Sequence, residues 1–192
     1  STTNYECYKG IYSSHNDKNY FEINYSLNRL FGKGGLCEGI GLYNFVDNHD
    51  VERIGSILKD KAHIKNVYTL LFTMPGVPSI YYGSEWAIEG KKEKGSDNSL
   101  RPCLDLEEML QKDQELVEHI RKLATIREEN EILQAGGFEQ VVVRNQQLIF
   151  ARNLNGEKVY VALNLQEQEM TLDIKADGDR PLIDLLDMAR EE

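Results

Sequence analysis

One stretch constrains this chain more than any other: Gly41-Leu42-Tyr43-Asn44-Phe45-Val46-Asp47-Asn48-His49-Asp50, with Arg53 just beyond it. It opens as a dense apolar and aromatic run and ends abruptly in four polar residues, Asp47-Asn48-His49-Asp50. A short apolar run bounded by Gly39 and Gly41 predicts a buried parallel strand over Gly41–Val46. Ionisable residues at the C-terminal end of such a strand sit where α/β sheets and barrels hold their ligands. The plain structural alternative is that His49 and Asp50 cap the next helix and pair locally.

The neighbouring sequence extends that unit in both directions. Tyr20, Ile23, Asn24, Leu27, Leu30 and Phe31 recur at spacings of three and four, one face of an amphipathic helix that Gly32-Lys33-Gly34-Gly35 stops. Asn16-Asp17 offers its N-cap, and a short strand is expected near Thr3–Glu6. Downstream, Asp60 caps a helix whose buried face is Ile64, Val67, Tyr68 and Leu71, and Pro75 ends it by forcing Met74 out of helical dihedrals. Val77–Tyr82 then reads as a second buried strand, with Pro78 near its start, where no ladder donor is missed. Strand and helix in alternation imply parallel strands joined by crossovers.

Phe45-Val46-Asp47-Asn48-His49-Asp50 resembles the fourth conserved region of the α-amylase family of glycoside hydrolases, of the cyclomaltodextrinase and neopullulanase kind. Met74-Pro75-Gly76-Val77-Pro78-Ser79-Ile80-Tyr81-Tyr82-Gly83-Ser84-Glu85 resembles the family's eighth barrel strand and the loop leaving it. Ser1-Thr2-Thr3-Asn4-Tyr5 resembles the surroundings of its sixth strand. The three matches occur in order across the first half of the chain. The resemblance implies the C-terminal part of a (β/α)8 TIM barrel over residues 1–135, followed by a small antiparallel all-β domain over residues 136–192.

It also implies retaining hydrolysis of α-glucosidic bonds in starch-type oligosaccharides. Such chemistry needs two carboxyl groups about 5 Å apart. In the family they sit on the fourth and fifth strands, so both are expected to lie outside this chain, and the isolated chain is expected to be inactive. By resemblance, Asp50 is the third acid, which stabilises the transition state by bonding sugar hydroxyls, and His49 is the neighbouring hydroxyl donor. Asn48, Tyr82, Trp86 and Arg101 are further substrate-contact candidates, although a local salt bridge for Arg101 and core packing for Trp86 are equally open. Arg53 reads first as a structural partner for a carboxylate. Another acid pair, such as Asp47 with Asp50 or Glu85 with Glu89, has no spacing that marks a nucleophile.

Beyond these motifs, Glu89–Asp113 reads as a long loop holding the charge run Lys91-Lys92-Glu93-Lys94-Gly95-Ser96-Asp97. Leu116, Val117, Ile120, Leu123 and Ala124 restore a helical period, closed by Arg127 to Asn130, and Gly136-Gly137 marks a linker. The pattern then turns to period two: strands are expected over Phe138–Arg144, Leu148–Arg152, Lys158–Leu163, Met170–Ile174 and Leu182–Leu186. Asn155-Gly156 is a hairpin signal.

A net charge of −10 over 192 residues argues against nucleic acid or an anionic membrane as partner. No apolar run approaches the roughly 20 residues of a membrane span. Cys7, Cys37 and Cys103 read as reduced thiols of a cytoplasmic protein, or as one bridge and a free thiol. No cofactor and no metal site is expected. A metal phosphohydrolase built on His49-Asp50 would need His15, His63 or His119 nearby. A non-catalytic carbohydrate-binding or interaction module is the other competing class. The expected partners are an α-glucan or maltooligosaccharide, and either a second copy of the chain or the N-terminal half of the barrel.

Overall fold

The computed structural model describes residues 2–174 and 182–188. Helix α1 (Tyr5–Asn16) begins because the Asn4 side chain accepts the Cys7 N–H at 3.0 Å. The strand expected near Thr3–Glu6 is thereby reduced to one parallel bridge, Thr3 to Tyr43. Helix α2 (Tyr20–Phe31) buries the six residues of its predicted face and stops at Gly32. Its cap is Asn19 rather than Asn16-Asp17. Asn16 instead bonds the Ile57 carbonyl and the Lys59 N–H, and Lys18 turns the chain at φ +50°.

Strand β1 (Tyr43–Asn44) follows, then helix α3 (Ile54–Ile57). A 3-10 turn at Lys61–His63, capped by Asp60, leads into α4 (Ile64–Thr73), and β2 (Val77–Pro78) pairs in parallel with β1. The parallel direction matches the expectation, but regular pairing covers two residues where Gly41–Val46 and Val77–Tyr82 were expected. Side chains supply part of the connection that a longer ladder would give. Asn44 donates to the Pro75 carbonyl and accepts from Asn4, while Pro78 brings no N–H.

The expected loop Glu89–Asp113 contains a short helix, α5 (Leu106–Leu110), because Asp105 caps the N–H groups of Glu107 and Glu108. Helix α6 (Glu115–Glu129) buries Ile120 and Leu123 as read; Ala124 faces solvent and Ile126 points inward instead. After α7 (Glu131–Ala135) come β3 (Gly137–Val143), β4 (Gln147–Leu154) and β5 (Glu157–Asn164), an antiparallel sheet in the order β3-β4-β5. Asn155 and Gly156, at φ +53° and +85°, make the β4–β5 hairpin.

Met170–Ile174 forms no strand. The Asn164 side chain bonds the backbone of Gln166 and Gln168, which turns the chain away from β5. Leu182–Leu186 is not a strand either: Asp184 accepts the Leu186 N–H at the start of helix α8 (Leu185–Met188).

One buried cluster runs from Ile11, Ile23 and Leu71 through Met74 to Phe138, Phe150 and Leu163, so the helices and the β3–β5 sheet share a core. Gly136-Gly137 is pinned rather than loose. The buried Arg152 donates to the carbonyls of Thr73, Leu133, Gly136 and Gly137. Two of these acceptors belong to the last turns of α4 and α7, where a cation meets the negative end of the helix dipole. Burial, with Arg127 adding to it, lowers the Arg152 guanidinium to about 9. No helix among the described residues is long and apolar enough to cross a membrane.

Candidate functional site

The polar end of the Gly41–Asp50 stretch splits into a buried half and an exposed half. Asp47 is buried, its Oδ2 accepting the Ile54 N–H at 2.9 Å and the Ser84 hydroxyl at 2.7 Å. Burial pushes its carboxyl above the usual range, against the hydrogen bonds from Ile54 and Ser84. It is a structural acid that ties the start of α3 to the loop beyond β2. The Asn48 side chain then accepts the Asp50 N–H at 2.8 Å, an Asx turn that carries His49 and Asp50 out to solvent.

The Asp50 side chain is 56% exposed, with Oδ2 3.3 Å from His49 Nε2 and Oδ1 3.6 Å from Arg101. Arg101 also pairs with Asp97 at 3.4 Å, and Lys92 donates to the Asp50 carbonyl. A carboxylate held this way keeps lone pairs facing solvent and has an imidazole and a guanidinium beside it. That suits the binding of adjacent hydroxyl groups.

Tyr82 joins the Arg101 side of the site: its exposed ring donates its hydroxyl to the Pro102 carbonyl at 2.9 Å. Asn48, His49, Asp50, Tyr82 and Arg101 thus lie on two connected loops, one after β1 and one after β2. Trp86 does not join them. Its indole N–H turns to Gln114 at the start of α6. The larger of the two described clefts, about 390 Å³, is lined by Ile80, Tyr82, Glu85, Val117, Ile120 and Arg121 and does not include Asp50.

Arg53 is structural, but not as a direct carboxylate partner. It is fully buried and donates to the carbonyls of Tyr82 (2.6 Å) and Leu100 (2.8 Å) and to Ser84 Oγ (3.1 Å). Its hydrogen-bonded path to Asp47 runs through the Ser84 hydroxyl, and its positive charge nearby favours the ionised Asp47 carboxylate against burial. Its guanidinium lies 4.1 Å from the centre of the Tyr81 ring. Ser84, Lys92 and Asp97 were not anticipated. Lys92 and Asp97 lie in a charge run that reads as solvated, and only Gly83, at φ +84°, hints at the turn that aims Ser84 inward.

The histidines do not gather at His49-Asp50. His15 bonds Ile11 and Tyr20, His63 bonds the Leu165 carbonyl, and His119 bonds Thr69. Among the described residues no group of three or more His, Cys, Asp or Glu is arranged to hold a metal. Cys7 is buried, Cys37 half-buried and Cys103 exposed.

Residues 36–103 match the family model of the α-amylase catalytic domain. That segment holds all six candidate residues. Over 131 residues the chain is 33% identical to a maltogenic α-amylase of Bacillus acidopullulyticus, covering 68% of this chain and 20% of that protein. The chain is a homologue of the α-amylase family.

A cyclomaltodextrinase of Thermoanaerobacter pseudethanolicus is 28% identical over 151 residues, 78% of this chain and 25% of that one. The chain therefore spans about a fifth to a quarter of the length of these curated relatives. Among solved structures, a cyclomaltodextrin glucanotransferase with a three-domain ABC distribution superposes with a TM-score of 0.80 at 22% identity, over 98% of this chain and 38% of that one. A maltogenic amylase from S. marinus superposes with a TM-score of 0.58 at 33% identity, over 69% of this chain and 19% of its own. The first likeness speaks for the fold alone. These structural neighbours are amylase-family barrel proteins with a C-terminal domain, and this chain covers part of them.

Proposed function

We propose that this chain is the C-terminal part of a glycoside hydrolase acting with retention on the α-glucosidic bonds of starch-type oligosaccharides, with Asp50 as its transition-state contact. The observation that carries the reading is the setting of Asp50. It is a half-exposed carboxylate beyond a parallel strand, flanked by His49 and Arg101, inside the segment that matches the α-amylase catalytic domain.

The barrel part of this reading is supported by the parallel contacts of Thr3, β1 and β2, each followed by a helix, the order expected of the last strand–helix units of a (β/α)8 barrel. Hydroxyls bonded to Asp50 draw closer as a sugar ring flattens toward an oxocarbenium ion, so the contact favours the transition state over the ground state. His49, Asn48, Tyr82 and Arg101 position the sugar. Trp86 contributes through packing. The nucleophile and the acid/base belong to strands outside this chain, so the chain alone binds without cleaving.

A kinetic comparison tests this. The isolated chain should give no turnover of a nitrophenyl α-glucoside or a maltooligosaccharide above a blank. In the enzyme that carries the remaining strands, Asp50→Asn should lower kcat and kcat/KM together, on the order of a hundredfold. A variant with raised KM and unchanged kcat would refute the role given to Asp50.

A further inference from the structure

The residue that joins the two loops of the site is Arg53, three positions after Asp50. Its side chain bonds the Tyr82 and Leu100 carbonyls, the two ends of the excursion between residues 82 and 100. Its own backbone N–H donates to Gly90 in the middle of that excursion at 2.9 Å. One residue therefore holds both ends and the centre of the second loop. The next residue after Leu100 is Arg101, which faces Asp50, and Tyr82 carries the exposed ring.

The packing leaves little slack. A Cβ on Gly90 would lie 2.3 Å from the Ser99 carbonyl oxygen and 2.9 Å from Arg53 Cγ, and one on Gly55 would lie 2.4 Å from the Ala87 carbonyl oxygen. The hydroxyl of Ser84 adds a second tie, accepting from Arg53 and donating to Asp47 Oδ2. The guanidinium is 0% exposed, so it does not itself meet a substrate.

We infer that Arg53 is the positioning residue of this site, fixing the spacing between the Asn48-His49-Asp50 turn and the loop that bears Tyr82 and Arg101. The inference rests on the reading of Asp50 as a sugar contact and goes beyond it by naming what sets the geometry. A lysine cannot take the role. Its single ammonium is a point donor, whereas the planar fork reaches Tyr82 and Leu100 in two directions at once.

Hydrogen exchange on the full chain, paired with maltohexaose titration, tests it. In Arg53→Lys the amides of Ile54, Gly90, Leu100 and Arg101 should exchange at least tenfold faster together, while those of α4 and β4 keep their wild-type rates. Ser84→Ala should accelerate the same amides to a smaller degree, which serves if Arg53→Lys does not fold. Maltohexaose affinity should fall at least tenfold in Arg53→Lys, and the fall should be non-additive with that of Arg101→Ala, because both act on one geometry. Unchanged exchange in either loop, a uniform rise that includes β4, or additive losses of affinity would overturn the role of Arg53. Loop-selective exchange in a chain whose wild type does not bind maltohexaose would uphold the tie and defeat the sugar-binding reading instead.

Discussion

At the residue scale, the chain separates its ionisable groups by burial. Asp47 and Asp50 lie three positions apart, yet one is an internal anchor and the other a surface group. His15 is the clearest buried case. Its Nδ1 lies 2.7 Å from the Ile11 carbonyl, so that nitrogen carries the proton, and Nε2 faces the Tyr20 hydroxyl at 3.3 Å. The ring of His63, itself beside Asp60, is 6.2 Å away. Burial lowers the His15 imidazole from 6.5 to about 4, with His63 adding to the shift against the Ile11 bond. The folded state thus favours neutral His15, while the unfolded chain takes up a proton below about pH 6.5. The resulting stability is complete above that pH and is lost as pH falls toward 4. Its size is on the order of 3 kcal/mol. His15→Gln should flatten the fall in unfolding free energy between pH 6.5 and 4, measured by urea titration at each pH. Parallel curves for the variant and wild type would remove His15 from the account.

At the element scale, what was legible comes from period and length. The α2 face was readable because six apolar or amide positions repeat at helical spacing over three turns. The α4 boundary was readable because Pro75 permits little else. The β4–β5 hairpin was readable because Asn155-Gly156 supplies two left-handed residues. The parallel pair was readable in direction but not in extent. Its connection is partly carried by side-chain amides, Asn4 donating to Asn44 and Asn44 to the Pro75 carbonyl, which no alternation pattern encodes. Helix α1 was missed because its signal is a single cap, Asn4, ahead of a tyrosine-rich segment. Met170–Ile174 alternates like a strand, but the turn built on Asn164 diverts it. In the candidate site, the sequence singles out Asn48, His49 and Asp50 as the polar end beyond the first strand, and the structure puts them on one turn there. Arg53 was legible as structural and not as a clamp, because its acceptors at positions 82 and 100 are backbone carbonyls, and carbonyls leave no trace in sequence.

At the scale of the whole molecule, the core is continuous but the parallel pair stands open. Tyr5, Tyr43 and Val77 are each about half exposed along it. Open strand edges with apolar side chains invite pairing with another chain. The proposed barrel reading gives that face an occupant, either the preceding strands or a second copy. The isolated chain should therefore elute as a dimer or larger species by size-exclusion chromatography with light scattering. A monomer whose β1 and β2 amides are strongly protected would show that the chain closes its own core.

In the proposed function Asp50 is a sugar contact presented between His49 and Arg101. Nuclear magnetic resonance titration of the isotopically labelled chain with maltohexaose tests it most directly, with Asp50→Asn as the control. Saturable shifts should centre on the amides of Asn48, His49, Asp50, Tyr82 and Arg101 and should be lost in Asp50→Asn. Shifts that are absent in the wild type, or equally strong in Asp50→Asn, would contradict it.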